Sequence, residues 1–510
     1  MTREQQPLAG GALVLATFGV ALATFMQTLD ITIANVSIPA IAGDLGVSPA
    51  QGTWVITSFA VANAIAVPLT GWLARRFGEV RLFTVATLLF IAASLGCGLA
   101  DSLPMLLVFR IFQGVVAGPM IPLSQTLLLS IYPPASKGMA LALWSMTTLL
   151  APIAGPLLGG WITDNISWPW IFYINIPVGL VAAYLTHGLL QSRETARQRS
   201  PVDAVSLGLL VLGVGALQLM LDQGRELDWF NSKAIVMLAV TAGISLPYLV
   251  VRELGTEFPL LDLRLFSRRT FAVGAVALSL GYGVYFGNFV LVPLWLQTQL
   301  GYTATWAGMA LAPTGILAVL LSPLVGKHLK RCDLRLAASF AFLVFALCAF
   351  WRAGFTTGLD FGHLALVQTA QGVGTAVFFV ALVSILLSGL PPERIASAAG
   401  LSNFLRITAG SFAASLTTTW WDRRQALHQT ELSAHVNPYN PLALDALDKL
   451  SALGLGVNES YASLLQTAST QAYMLAANDL FWLQGWLFLA LVPVVWFPRA
   501  TPTAHSATPG

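Results

Sequence analysis

Apolar residues fill long stretches of this chain, and polar residues are confined to short segments between them. Mainly apolar runs cover 13–38, 50–73, 82–100, 103–130, 138–163, 169–190, 204–221, 234–251, 271–296, 304–326, 335–353, 362–388, 396–421 and 479–498. Each is near or above the about 20 residues that a helix needs to cross a bilayer. The pattern predicts an all-α integral membrane protein with fourteen transmembrane helices. The runs at 103–130 and 362–388 exceed one bilayer thickness, so those helices should tilt or protrude. The first run follows a short polar stretch, Met1 to Pro7, and continues past signal-peptide length, which makes it a signal-anchor and the first span.

Composition agrees. Hydrophobic residues make up 56% of the 510 positions and charged residues 10%, with a mean hydropathy of +0.74. Ordinary globular chains carry roughly 25% charge, so most of this surface must face lipid. The net charge of +3 comes without a basic arm, which argues against nucleic acid as a partner. Cys97, Cys332 and Cys348 have no metal or disulfide spacing, and the six histidines are scattered, so no metal or cofactor is expected. An even number of spans puts both termini on one side. With the termini inside, 18 of the 26 Lys and Arg fall in inside segments. Six fall outside, Arg352 among them, and Arg110 and Arg406 lie within spans. The excess of inside bases predicts cytoplasmic termini.

The chain also repeats itself at an offset of about 255 residues. Thr53-Trp54 recurs as Thr305-Trp306, and Pro68 and Gly71 recur as Pro323 and Gly326. The paired bases Arg75-Arg76 recur as Lys330-Arg331, and Gln113-Gly114-Val115 recurs as Gln371-Gly372-Val373. Two parallel six-helix repeats are therefore expected, an N-terminal half at 1–200 and a C-terminal half at 256–510, joined by two linker helices within 201–255. Parallel repeats of this kind flank a central cavity in rocking transporters.

These motifs resemble the major facilitator superfamily and its 14-span drug:proton antiporters. The loop from Gly71 through Arg75, Arg76 and Gly78 to Arg81 is similar to the superfamily's cytoplasmic loop motif, with Arg75 where that loop usually has Asp. Arg110-Ile-Phe-Gln113-Gly114 resembles the Arg-x-x-Gln-Gly motif of the fourth span. Gly155, Pro156, Gly159 and Gly160 resemble the antiporter motif of exporters, and Leu29-Asp30-Ile-Thr32-Ile-Ala-Asn35 the first-span signature of the 14-span group. The stretch from Pro119 to Gln125 and the long segment before the last span look closest to EmrB-type multidrug transporters. The resemblance implies a bacterial inner-membrane antiporter that exports hydrophobic or amphiphilic drugs by alternating access. It also implies a periplasmic EmrA-type adaptor and a TolC-type outer-membrane channel as partners.

Asp30 is the one acid deep within an apolar run. A carboxylate there is a functional candidate by default. Counting the helical rise puts Asp30 about 12 Å and Arg110 about 10 Å from the outer face, so the two can meet and bind or release a proton. A static ion pair locking two helices is the alternative. The C-terminal copy has Gln368 where Arg110 stands, and Val284 falls near the position of Asp30. Ionic chemistry is thus expected mainly in the N-terminal half, with Arg406 the deep charge of the other. Asn35, Asn63, Gln113, Gln125, Asn288, Gln371, Asn403 and Arg406 are candidates for lining a substrate cavity, and the polar ones equally for bonding helices together. The glycines of the antiporter motif would let helices approach closely, and Pro156 would bend its helix.

No Gly-x-x-x-x-Gly-Lys-Ser/Thr string occurs, so an ion gradient is the expected energy source. The scattered His residues form no catalytic pattern, which leaves a polytopic membrane enzyme as the weakest reading. A narrow-specificity metabolite or siderophore exporter is the serious rival to a drug pump. The outer segment at 422–478 should hold a short helix from Leu442 to Leu453 and a second one starting at Asn458, with Tyr461, Leu464, Leu465, Ala468 and Ala472 on one face.

Overall fold

In hydrocarbon, every backbone N–H and C=O has to be bonded within the structure, so long apolar runs become helices. The computed structural model describes residues 7–198, 201–257, 259–328, 332–437 and 439–497. Lys330 and Arg331 lie outside these, as does the side chain of Pro156. Among the described residues every regular element is helical. The first half holds α1 (Gly10–Asp44), α2 (Trp54–Phe77), α3 (Glu79–Gly98), α4 (Leu103–Ile131), α5 (Lys137–Asn165) and α6 (Trp170–Arg193). Next come α7 (Ala204–Gln223) and α8 (Lys233–Gly255). The second half holds α9 (Arg269–Gln299), α10 (Ala304–His328), α11 (Leu334–Arg352), α12 (Phe361–Leu387), α13 (Pro392–Ala434) and α14 (Val457–Val494).

Among the described residues, twelve helices are long and apolar enough to cross a membrane. The other two predicted runs fall on α5 and α13, helices of 29 and 43 residues. Two of the breaks within the first-half spans sit at proline, which has no N–H for the helical ladder. α2 tightens to a 3-10 turn at Val67–Leu69 around Pro68, and α4 breaks at Gly118 and Pro119. The two breaks meet, since a Cβ at Gly118 would lie 2.4 Å from Ala66 Cβ.

Packing in the two halves corresponds helix for helix. α1 lies on α5, α2 on α4, α3 on α4 and α6; likewise α9 lies on α13, α10 on α12, α11 on α12 and α14. α7 and α8 form a hairpin that rests on α2 and α13. Its open ends are clamped where Arg252 Nε and Nη2 donate to the two oxygens of Asp203, at 2.7 and 3.0 Å. Asp203 also caps α7 by accepting from the Val205 and Ser206 amides.

The first and last described segments reach the same end of the bundle. Leu8 N donates to Ile131 O at the end of α4, and Trp496 Nε1 to Ser339 near the start of α11. Close approach at Gly138 and Gly326 joins these regions, a Cβ on either glycine falling 2.7 Å from the other's carbonyl oxygen. At this termini face the halves are in contact. Gly71 and Arg75 of α2 meet Ser397 of α13, and Asn403 of α13 donates to Gln125 of α4 at 3.3 Å.

The segment at 422–478 consists largely of helix extensions. α13 continues to Ala434, and the helix expected from Asn458 is the start of α14. Arg424 Nε and His428 Nε2 both reach Asp479 Oδ2, at 2.7 and 2.8 Å, and pin the two helices together. The expected short helix lies at Pro441–Ala452, capped by Asn440. Of the expected apolar face, Ala472 is buried, Tyr461, Leu464 and Ala468 are half-buried, and Leu465 is exposed.

Candidate functional site

Asp30 lies in α1 and Arg110 in the first turns of α4, and both are fully buried. Arg110 Nη1 donates to Asp30 Oδ2 at 2.6 Å and to Gln113 Oε1 at 2.7 Å. Gln113 Nε2, one helical turn on, donates to Asp30 Oδ1 at 3.1 Å. Asn175 of α6 donates to the same oxygen at 2.8 Å. Ser94 Oγ of α3 accepts from Gln113 at 2.8 Å and from Asn175 at 3.2 Å. α2 completes the shell, because Arg110 Nε donates to Val55 O at 2.9 Å and its guanidinium lies 4.4 Å from the centre of the Phe59 ring. Five helices thus converge on one carboxylate.

The chemistry of this arrangement is directional. Three side-chain donors point at the two oxygens of Asp30, which serve only as acceptors. A proton arriving there would turn one acceptor into a donor facing donors. It would also remove the negative charge that strengthens all three bonds, so the hold of α4 and α6 on α1 would weaken.

The antiporter-motif glycines stand on the other side of the same stretch of α1. A Cβ at Gly155 would lie 2.1 Å from Thr32 Oγ1, and one at Gly159 would lie 2.7 Å from Ile33 O. Gly160 has more room, with Val36 at 3.8 Å. α5 therefore rests directly on the turn that follows Asp30.

The loop motif does different work. Gly78 has a φ of +88°, which a side chain would strain. Just beyond it, the Glu194 carboxylate accepts from the Val80 and Arg81 amides, a favourable place for an anion at the start of α3. Arg75 donates to Ser397 Oγ at 2.9 Å and to Pro259 O at 3.2 Å, so it bridges the halves as a hydrogen-bond donor. Arg76 lies over the Trp72 ring at 5.3 Å.

The cavity candidates divide into three groups. Gln113 belongs to the Asp30 cluster. Asn63 is buried and donates to Gly114 O at 3.5 Å, a bond between α2 and α4. Gln125, Asn403 and Arg406 form a chain across the halves, with Arg406 Nη2 donating to Asn403 Oδ1 at 2.9 Å. Asn35 is exposed on α1, while Asn288 and Gln371 are buried together in the second half.

Several participants were not foreseen. Ser94 and Asn175 carry no distinguishing pattern among the many small polar residues in the spans. Arg352, assigned by its position to an outer segment, is 2% exposed and turns inward to donate to the side-chain carbonyls of Gln368 and Gln371. The long stem of an arginine lets a helix-end residue reach well into the bundle. Ionic chemistry is therefore present in both halves.

The model of the Major Facilitator Superfamily matches residues 20–414. The chain belongs to that superfamily of membrane transporters. Within it the chain is of the EmrB type. It is 53% identical over 494 residues to the multidrug export protein EmrB of Haemophilus influenzae, covering 97% of each chain. It is 51% identical over 498 residues to EmrB of Escherichia coli K12, covering 98% of this chain and 97% of that one. The fatty acid resistance protein FarB of Neisseria gonorrhoeae is 49% identical over 507 residues, with 99% and 100% covered. Among solved structures, the proton:xylose symporter XylE shares the fold with a TM-score of 0.57 at 14% identity, over 96% of this chain and 97% of that one.

Proposed function

We propose that this protein is a proton-driven exporter of hydrophobic and amphiphilic molecules, working by alternating access through fourteen spans with cytoplasmic termini in a bacterial inner membrane. The observation that carries the reading is the fully buried Asp30 held by three donors from α4 and α6. Protonation of Asp30 loosens α1 from those helices. Gly155 and Gly159 transmit the shift to α5, which packs on α10 of the other half. The halves then part at the termini face, where Gly71, Gly138 and Gly326 now hold them together. Relatives named for multidrug export support the substrate class. By the same likeness the protein works with a periplasmic adaptor and an outer-membrane channel, and residues 422–478 are the docking region.

The test is Asp30→Asn in proteoliposomes under an imposed proton gradient. Uphill export should vanish while the protein stays folded. Export with wild-type pH dependence would refute proton coupling through this residue. A second reading, a narrow-specificity metabolite exporter, draws on the relative named for fatty acid resistance. A screen of chemically unrelated substrates separates the two.

A further inference from the structure

The cluster around Asp30 recurs in the second half at one constant offset, with its charges rearranged. Adding 258 to Asp30, Ser94, Arg110 and Gln113 leads to Asn288, Arg352, Gln368 and Gln371. These four also meet in space. Asn288 Nδ2 donates to Gln371 Oε1 at 3.5 Å, as Gln113 bonds Asp30, and Arg352 donates to both glutamine carbonyls. Asn288, and not Val284, is thus the counterpart of Asp30. The acid has become its neutral isostere, and the guanidinium has moved from the fourth helix of the half to the third.

The result is a buried cation without a counter-charge. α9, α10, α11 and α12 contain no Asp or Glu. No carboxylate pairs with Arg352 or Arg406 among the described residues. Two carbonyl oxygens share a single guanidinium nitrogen of Arg352, Nη2, and stand where an anion would bind. Around it, Arg352 Nε and Gln368 Nε2 are buried donors with no partner, and Asn288 Oδ1 is an acceptor with none. Arg406, the second uncompensated cation, lies over the Tyr282 ring at 4.6 Å. Tyr282, Tyr285, Phe286 and Phe289 form an aromatic strip along α9 with ring centroids 5.6–6.4 Å apart.

We propose that the second-half cluster is an anion site that takes the carboxylate headgroup of an amphiphile, whose hydrocarbon tail lies along the aromatic strip of α9. The ligand displaces the glutamine carbonyls from Arg352 and gains the free Nε and Gln368 Nε2 donors. The two halves then divide the work. The first holds an exchangeable proton on a carboxylate of the protein, and the second holds a carboxylate of the cargo. This site names a substrate class within the exporter reading and rests on it.

Binding measured apart from transport keeps the two separable. Purified full-length protein in lipid nanodiscs is titrated with dodecanoate and with dodecyltrimethylammonium, probes that differ in headgroup charge. Arg352→Gln should shift the affinity ratio against dodecanoate by about tenfold or more, the loss expected for a charged hydrogen bond. Asn288→Asp keeps the arginine and supplies an internal carboxylate, which should compete with the ligand and shift the ratio the same way. That variant decides the matter if Arg352→Gln does not fold. Absence of dodecanoate binding by the wild type, equal weakening of both probes, or an Asn288→Asp ratio equal to wild type overturns the site. Selective dodecanoate binding without any proton-driven transport would uphold the site and sink the exporter reading.

Discussion

The contact at Gly71 offers a direct way to unbalance the two conformations of the proposed alternating-access cycle. A Cβ there would lie 2.2 Å from Ser397 Oγ, 2.6 Å from Ser397 Cα and 2.7 Å from Ser397 Cβ. One neighbour is backbone, so rotating a side chain does not relieve the clash. α2 and α13 would have to separate at the termini face. Overpacking of this kind typically costs about 1–3 kcal/mol. The penalty applies only to the arrangement in which the halves touch here, so Gly71→Ala should shift the population toward the parted state by about 5- to 150-fold. Gly114 supplies the control. Its Cβ would lie 2.5 Å from Phe59 O, a contact of α4 with α2 within one half. Gly114→Ala should lower thermal stability without favouring either conformation. Spin labels at Arg81 and Glu393, exposed at the termini face on opposite halves, report the separation once the exposed Cys332 is replaced by Ser. A longer-distance population should grow in Gly71→Ala and not in Gly114→Ala. An unchanged distance distribution in Gly71→Ala, or the same change in both variants, would refute the reasoning.

Arg110→Ala leaves Asp30 buried without its cation, so thermal unfolding should show a loss of about 3–5 kcal/mol and transport should stop. Arg110→Lys keeps the charge without the planar fork and should retain part of both; full activity in the alanine variant would remove the pair from the mechanism. The Arg252 guanidinium holds the Asp203 carboxyl well below the usual carboxylate range. A depressed folded pKa stabilises at every pH above the usual value near 4 and is lost only as pH falls through the lower, folded value. The melting difference between wild type and Asp203→Asn should therefore be the same at pH 8 and pH 6, and a difference that shrinks over that interval contradicts the clamp. Replacing residues 435–456 by a short Gly-Ser link should abolish drug resistance in cells while reconstituted vesicles still transport; full resistance from correctly inserted protein would exclude docking at this tip.

The helices were legible in the sequence because hydrocarbon allows few alternatives: a long apolar run has to satisfy its own backbone. Where the chain leaves the membrane that constraint ends. Residues 422–478 are polar enough to read as a loop, yet α13 and α14 continue there as a pinned pair, since Arg424 and His428 share Asp479. The Asp30–Arg110 contact was legible from helical rise alone. Its supports Ser94 and Asn175 were not, because a serine or asparagine in a span looks the same whether it bonds a neighbouring helix or a buried carboxylate. Arg352 was misread for a different reason. Position along the chain located its Cα at the end of a run, but the function of an arginine is set by where its guanidinium ends. The offset of 258 between Gln113 and Gln371 held the missing signal, because carried back to α1 and α3 it leads to Asn288 and Arg352.

That offset also bears on how a duplicated fold comes to couple two chemistries. Both halves keep the same four positions, and in each a glutamine one turn into the motif joins them. Only the identity of the charges differs. With Asp30 ionised, the first cluster is neutral; with Asp30 protonated, it carries one positive charge, as the second cluster does permanently. Protonation thus makes the halves electrostatically alike, and release of the proton makes them unlike. In the proposed proton-driven cycle this difference would distinguish the two states without any residue in the second half changing protonation. The proton dependence of the cycle should accordingly follow substitutions in α1, α4 and α6, while those around Arg352 alter which cargo is carried.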